Sequence, residues 1–391
     1  MGSIDRFSLL HDSLLSIIVS SLPFKDAVKT STLSKDWENV CKLTRNIEFN
    51  ELFFIKFDQP HEIVHSQRMA FLDFMKKGIE NHGENAIDKF SLTMSAHNVF
   101  SEDIDRCIRF AIRNEVKDLE LDFTSPTWNK DEFYYNNFVA SVDLSSYVYE
   151  YSGLQSLKLY SCDFSASEMV NFHSLKEISL GFMRVSICAI EALLTNCEML
   201  ESLNFYKCWS LDEFILKGEY LGLKKLVINR CHFKSSTFRI NAPNLKVFDY
   251  HGSLFDIDIQ SPALDEVNLD FPLELGCQSH GSYYLHKLLK DLPSPRVMTV
   301  CSYWLQGITF MLNSCPNLEH LTIEIVEKRY MNFFEPVFPI IPEKYWIDTI
   351  EAYKCVKSHL KKVEIKGFKV KGNDNSIDTD GHNVWQYIVT D

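Results

Sequence analysis

The feature that most constrains this chain is an internal repeat. The segments 154–162, 200–208 and 223–231 share the frame L-x-x-L-x-Φ-x-x-C, in which Φ is apolar. Repeats of 20 to 50 residues are typical of solenoids, in which each repeat buries its apolar face on the next one. Further copies of the frame, with the last position relaxed or the match weaker, stand at 87–95, 116–124, 175–183, 245–253, 264–272, 295–303, 318–326 and 360–368.

Alternation within the frame predicts one short strand in every repeat. Apolar residues alternate with the x residues between them, so a strand through the frame buries one set and presents the other on its opposite face. Stacked repeats then form a parallel sheet on the inside of the solenoid. Intervening segments such as 189–202 predict short helices or turns on the outer side.

The x residues of the inner face are candidates for binding another protein. Tyr160 and Tyr206 occupy the same frame position, and aromatic residues with a polar tip are common at interfaces. A solvated sheet face with two incidental tyrosines is the alternative. The predicted target-binding residues are Tyr160, Asn204, Tyr206, Asn229 and His251.

Cys162, Cys208 and Cys231 close the frame in the three strongest repeats. Their spacing matches no zinc-binding pattern, so we predict no metal site. A small side chain with a weak S–H donor suits a buried turn beside backbone carbonyls. The period and the frame resemble the leucine-rich repeat. That resemblance implies an α/β solenoid, a leucine-rich-repeat arc with a parallel inner sheet.

The first 48 residues do not fit the frame and predict a small all-helical unit. Leu14, Ile18 and Leu22 are four apart and share one helical face before Pro23. A helical cap on the first strand of a solenoid is one interpretation. The stretch also resembles the F-box of plant F-box/leucine-rich-repeat proteins over about 37 residues. The run that carries the resemblance, 5–37, reads DRFSLLHDSLLSIIVSSLPFKDAVKTSTLSKDW.

The F-box resemblance implies partners and a function. Such a domain docks on a Skp-type adaptor and through it on a cullin scaffold that bears a RING protein, while the repeats hold a target protein for ubiquitin transfer. The sequence does not separate adaptor contacts from F-box core. The residues carried over as one or the other are Leu10, Leu14, Ile18, Leu22, Pro23, Val28, Leu33 and Trp37.

The chain departs from the F-box pattern at four positions. His11 replaces a proline, Asp36 and Glu38 replace arginines, and Cys41 replaces a tryptophan. Skp-type adaptors are acidic as a family, so the two new carboxylates would slow the approach and weaken the contact. The alternative function is therefore a leucine-rich-repeat binding protein with a degenerate F-box that no longer recruits the adaptor.

The net charge and the absence of certain motifs argue against several partners and against catalysis. A net charge of −13 with scattered Lys and Arg argues against nucleic acid as a partner. The absence of a long uncharged apolar stretch argues against a membrane. The 11 cysteines form no C-x-x-C pair, which indicates reduced thiols and thus cytoplasm or nucleus. With no phosphate-binding loop and no nucleophile elbow, we expect a non-catalytic substrate receptor without a cofactor.

The C-terminal region resembles the FBD region that ends many plant F-box proteins. The match covers 346–370 and includes Trp346, Cys355 and Leu360. The sequence that follows is polar and loses the frame, which predicts a divergent tail, poorly ordered at its end. The predicted domains are an F-box at 1–48, leucine-rich repeats at 49–345, and an FBD-like last repeat with its tail at 346–391.

Overall fold

The structure is a computed structural model, and the chain packs as two compact units, 1–200 and 201–391. The residues that it describes are 10–22, 24–33, 37, 39, 42, 44–83, 85–95, 99–126, 142–163, 171–209, 214–216, 222–233, 237–254, 256–271, 281–292, 295–301, 311–312, 314–324, 354–366 and 384–388.

In the first unit, two short helices precede a series of strands separated by helices. The helices are α1 (Asp12–Ser20), α2 (Phe24–Thr30), α3 (His61–Asn81), α4 (Ser101–Arg113), α5 (Ser146–Glu150) and α6 (Ile187–Asn196), with a 3-10 helix at Glu51–Phe53. The strands are β1 (Asn46–Asn50), β2 (Lys89–Thr93), β3 (Asp118–Asp122), β4 (Val142–Asp143), β5 (Ser156–Tyr160), β6 (Cys162–Asp163) and β7 (Glu177–Gly181). The sheet has the order β1-β2-β3-β5-β7 and all its pairs are parallel, while β4 pairs with β6.

The second unit contains a main sheet and a smaller one. Its strands are β8 (Ser202–Tyr206), β9 (Phe214–Leu216), β10 (Lys225–Asn229), β11 (Thr237–Asn241), β12 (Val247–His251), β13 (Asp256–Gln260), β14 (Glu266–Asp270), β15 (Val297–Cys301), β16 (His320–Glu324), β17 (Lys362–Lys366) and β18 (Val384–Ile388). Its helices are α7 (Gly281–Asp291) and α8 (Lys354–Ser358). The main sheet runs β8-β10-β12-β14-β15-β16-β17 in parallel and ends on the antiparallel β18. The smaller sheet is the parallel set β9-β11-β13.

The strands follow the frame found in the sequence. In the repeat at 154–162, strand β5 covers the third to seventh frame positions, with Leu157 and Leu159 buried and Lys158 and Tyr160 half-buried on the other face. The same pattern recurs in β8, β10 and β12. The predicted α/β leucine-rich-repeat solenoid with a parallel sheet is therefore confirmed in both units.

A left-handed residue ends several of these strands. Ser161, Phe182, Lys207 and Arg230 each follow a strand and have φ between 50° and 58°. The turn brings the last frame residue inward, where the thiol groups donate to strand carbonyls as expected from the sequence. The Sγ–O distances are 3.7 Å from Cys162 to Tyr160, 3.8 Å from Cys208 to Tyr206 and 3.6 Å from Cys231 to Asn229.

The outer side of the second unit differs from the expected helices and turns. That prediction holds for α6 in the first unit, but the segments between β8 and β14 contain the three strands of the smaller sheet. This sheet packs through aromatic rings: Phe214 stacks on Phe238 at 4.7 Å, and Phe238 contacts Phe248 of β12 at 6.4 Å between ring centroids. Aromatic side chains favour strands, because they pack well on a pleated surface.

In the main sheets, two strands lie where the sequence analysis placed none. Strand β1 spans the proposed domain boundary at residue 48, so the first strand of the sheet begins within the segment assigned to the F-box. Strand β18 lies in the polar tail and pairs with β17, with Trp385 opposite Ile365. The sequence analysis placed no strand in this tail because the tail does not continue the frame, and the pairing with β17 is made by backbone groups instead.

Candidate functional site

The N-terminal helices bury one apolar face. Leu15, Val19, Ala27 and Trp37 form a core cluster, against which Leu10 packs. Leu15 is 2% exposed and Val19 is its neighbour one helical turn along α1. This cluster joins α1 to α2 and to the segment that carries Trp37.

A second set of apolar residues in the same region faces solvent. Leu14 is 50% exposed, Ile17 66%, Leu22 37% and Leu33 66%. We call these four the exposed apolar set. Solvent-facing Leu and Ile side chains are individually ordinary, and these four stand within 20 residues of one another in the segment that resembles the F-box.

The structure divides the predicted adaptor-binding residues into contact candidates and core. Leu14, Leu22 and Leu33 belong to the exposed set, and Trp37 belongs to the core. Ile17 was not predicted, although its spacing of three from Leu14 places it on the same side of a helix. Leu10, Ile18 and Val28 are half-buried, and Pro23 lies outside the described residues.

The helical unit also covers the first strand. Phe24 of α2 packs edge-on against Phe49 of β1 with 5.5 Å between ring centroids, and Asn46 Nδ2 donates to the carbonyl of Ser20 at 3.2 Å. The cap interpretation and the docking interpretation therefore describe different sides of one unit.

One of the four departures from the F-box pattern has a structural role. The Nδ1 of His11 accepts a hydrogen bond from the backbone N–H of Ser13 at 3.3 Å, so His11 is the N-cap of α1. An imidazole nitrogen satisfies a donor that the helix itself leaves unpaired. Asp36, Glu38 and Cys41 lie outside the described residues.

The sheet faces carry the predicted target-binding residues in register. In the second unit, Tyr206, Asn229, His251 and Asp270 stand opposite one another on successive strands, and we call them the polar row. Asn204 lies two residues before Tyr206 on the same face. The structure thus brings four of the five predicted residues together on one face of one unit.

The fifth residue, Tyr160, stands in the first unit. It pairs with Asp122 on β3 and with Gly181 on β7. The same face of β3 carries Asp118 and Glu120, so the surroundings of Tyr160 are acidic. Burial is the first cause that raises the pKa of Asp118 above its ordinary value, against the lowering effect of Lys158 and Lys89.

We call the sheet face that carries the polar row the polar face. The group on it whose pKa is shifted most is His251. Its Nε2 lies 2.8 Å from Asp249 Oδ1 and its Nδ1 lies 3.2 Å from Asp270 Oδ2. Burial by itself would lower the pKa of His251, but the hydrogen bonds and charges of the two carboxylates outweigh it and raise the pKa to about 9.

Buried thiols do not supply nucleophiles. Burial raises the pKa of Cys107, Cys197 and Cys315 to about 12, so each stays protonated at neutral pH. The described cysteines are free thiols, and Cys188 among them is exposed.

We expect Cys188→Ser to remove one fast-reacting thiol from the native protein. The exposed thiol on α6 meets a labelling reagent directly, whereas Cys197 is buried. The measurement is thiol titration with a chromogenic disulfide, with and without urea. Cys197→Ser is the control: it should lower the count only in urea, and a loss in the native protein would contradict the burial of Cys197.

One catalytic-type motif escaped the sequence analysis. Residues 61–65 read H-E-I-V-H, which matches the H-E-x-x-H pattern of zinc proteases. His61 and His65 lie in the first turns of α3 and are exposed. Zinc sites of this type need a third protein ligand. Within the described stretches, no group of three or more His, Cys, Asp or Glu side chains is placed to hold a metal ion.

The chain has clear similarity to known proteins. A family model described as "At1g61320/AtMIF1, LRR domain" matches residues 79–338, and the F-box domain model matches 7–48. None of the described helices is long and apolar enough to cross a lipid bilayer.

Three relatives from Arabidopsis thaliana match along nearly the whole chain. F-box protein At3g62230 is 29% identical over 94% of this chain and 86% of its own length. At3g29830, named provisionally as an F-box protein, is 31% identical over 93% and 85%. At5g54820, named provisionally as an F-box/LRR-repeat protein, is 29% identical over 98% and 88%.

Proposed function

The chain belongs to the F-box/leucine-rich-repeat family, and from this premise we propose that it is the substrate-recognition subunit of a Skp-cullin-F-box ubiquitin ligase. The F-box docks on a Skp-type adaptor, and the adaptor links it to a cullin scaffold with a RING protein. The repeats bind a target protein. Ubiquitin transfer takes place on other subunits, so this chain contributes by holding the target in place.

The observation that carries the proposal is the exposed apolar set. Leu14, Ile17, Leu22 and Leu33 remain exposed, whereas other apolar residues of the same region are buried in the core cluster. Helices dock in grooves through a few apolar anchors that become buried on binding. The F-box region therefore has what a docking surface needs, while its other side holds β1.

The polar row supports the second half of the proposal. Its side chains are half-buried and rich in hydrogen-bonding groups, as is common on protein-binding faces. Rows of this kind on a rigid sheet hold their side chains in fixed positions, which favours specific contacts.

Co-expression with a plant Skp-type adaptor, followed by gel filtration, tests the proposal. We expect a one-to-one complex that stays intact through the column. A folded, monomeric chain that elutes apart from the adaptor would favour the alternative, a repeat-based binding protein whose F-box is only a cap on β1.

We expect Tyr206→Ala and Asn229→Ala to separate the two binding activities. Both side chains lie on the polar row of the second unit, so adaptor binding should be unchanged. Target capture should fall about tenfold or more, because truncation of an anchor residue at the centre of an interface costs about 2 kcal/mol or more. The measurement is comparative mass spectrometry of proteins captured by the adaptor complex of each variant. An unchanged capture profile would remove the polar row as the target site.

A further inference from the structure

Three charged groups converge at one point of the polar face in the second unit. Asp249 and His251 are two residues apart on β12 and so point to the same face, while Asp270 stands directly opposite His251 on β14. The imidazole lies between the two carboxylates, at 2.8 Å from one and 3.2 Å from the other. The side-chain amide nitrogen of Asn268 lies 3.4 Å from Nε2, and the opposite orientation of this amide would place its oxygen there as an acceptor for a protonated ring.

Among the described residues of the neighbouring strands, no further charged group stands beside the ring. Strand β10 places Asn229 opposite His251, and an amide carries no charge. Strand β14 contributes Asp270 and Asn268, and β12 contributes Asp249. Among the described residues, the ring therefore meets two negative charges and no positive one.

Partial burial strengthens the repulsion between the two carboxylates. Side-chain exposure is 21% for His251, 27% for Asp249 and 18% for Asp270. The Oδ1 atoms of Asp249 and Asp270 are both buried and accept no hydrogen bond in the part of the chain that the structure describes. Two carboxylates held together away from water repel each other unless a cation lies between them. The ring is hydrogen-bonded to Asp270 through Nδ1 and lies within ion-pair distance of Asp249, so a protonated ring supplies the positive charge that both carboxylates need.

We propose that Asp249, His251 and Asp270 form a proton-dependent clamp that joins β12 to β14 and fixes the geometry of the polar face. His251 acts in it as a positioning residue, carrying a positive charge at neutral pH. The proton is part of the structure, because its loss leaves two carboxylates facing each other across one neutral ring.

The clamp changes which residues of the polar row can contact a target, a consequence that rests on the proposed function. Nδ1 of His251 is hydrogen-bonded to Asp270, and Nε2 lies against Asp249 and the Asn268 amide, so both ring nitrogens are already in contact within the sheet face. Its charge is offset by two negative ones, which leaves this end of the row net negative. Such a site favours a target segment that brings a lysine or arginine and disfavours a phosphorylated one.

The clamp predicts that stability falls as the pH rises above neutrality. The pKa of His251 is about 9 in the folded protein and near 6.5 in the unfolded chain, so the folded state holds an extra proton between these values. Its stabilising effect is complete below pH 6.5 and is lost as the pH passes 9. The ratio of folded to unfolded protein should therefore fall by about tenfold to a hundredfold between pH 6.5 and 9 through this group.

The experiment has two independent measurements on the full chain. The first is the NMR titration of the histidine ring protons, with His251→Gln to assign the resonance and Asp270→Asn to perturb it. We expect a midpoint above 8 for His251 in the wild type and a lower midpoint in Asp270→Asn. A wild-type midpoint in the ordinary histidine range would overturn the clamp. This measurement depends on neither the adaptor nor a target.

The second measurement is urea unfolding from pH 6.5 to 9. His251→Gln should show a weaker pH dependence than the wild type, because it lacks the titrating group. His320→Gln is the matched control, since His320 lies on the same sheet face and its strand neighbours Val297 and Lys362 bring no carboxylate. Equal pH dependence in the wild type and His251→Gln contradicts the proposal. Loss of adaptor or target binding with an intact titration would count against the proposed function alone.

Discussion

Leu14→Asp is expected to abolish adaptor binding and to leave the fold intact. The side chain is half exposed, so the change removes no core contact. A carboxylate in the first turn of α1 also interacts favourably with the helix dipole. At the docked surface the same carboxylate would be buried without a partner, which costs several kcal/mol. We expect the dissociation constant for the adaptor to rise at least about a hundredfold.

Two companion variants separate docking from folding. Met199→Asp places the same charge on an equally exposed apolar residue, at 51%, outside the F-box region, and should leave adaptor binding unchanged. Leu15→Asp places it in the core cluster and should unfold the N-terminal helices. Binding is measured by surface plasmon resonance, and folding by circular dichroism on the same samples.

Adaptor binding and folding of the three variants together decide whether the exposed apolar set is the docking surface. Full adaptor binding by a folded Leu14→Asp protein would show that the exposed apolar set is not the docking surface. Trp37→Ala is a poor test of docking, although the sequence suggests it, because Trp37 is 7% exposed and supports the core cluster. Its loss would reduce binding through unfolding.

Arg68→Ala is expected to destabilise the first unit by roughly 3 to 5 kcal/mol, because it leaves a buried carboxylate without its countercharge. Glu51 is fully buried, and its Oε2 lies 3.5 Å from Arg68 Nε. Its other oxygen accepts from the backbone N–H of Ser95 at 2.6 Å. The pair thus ties the end of β1 to α3 and to the turn after β2. Urea unfolding at pH 7 measures the loss.

Two controls define the origin of that loss. The double variant Glu51→Gln with Arg68→Met removes both charges and should recover most of the stability, since an uncharged pair leaves no buried ion. Lys77→Ala breaks an exposed ion pair with Asp73 on the same helix, at 2.7 Å, and should leave the unfolding curve unchanged. If Arg68→Ala behaved like Lys77→Ala, the buried pair would have no role in stability.

The repeat could be predicted from the sequence because its signal is local. Each frame fixes which residues point into the hydrophobic core. Leu157, Leu203 and Leu226 could therefore be assigned to the core without knowledge of the elements that cover them. Strand β1 carries the same alternation in the segment Asn46–Asn50, but it lies next to the F-box, whose stronger pattern concealed it.

The N-terminal helix shows where local patterns fail. Helix α1 is apolar on two sides, and spacing alone selects Leu14, Ile18 and Leu22 as readily as Leu15 and Val19. The packing of α1 against α2 and Trp37 decides which side is buried, and the buried side is that of Leu15 and Val19. Two of the three residues that the sequence pattern chose first, Leu14 and Leu22, are therefore exposed rather than buried.

The sequence by itself determined the family, the solenoid and the inward residues of each repeat, because these depend on contacts between residues a few positions apart. Only the tertiary structure decided which face of α1 is exposed, that Glu51 pairs with Arg68, and that Asp270 lies opposite His251. Each of these depends on the register between separate elements, and a register is set by the packing of the whole unit.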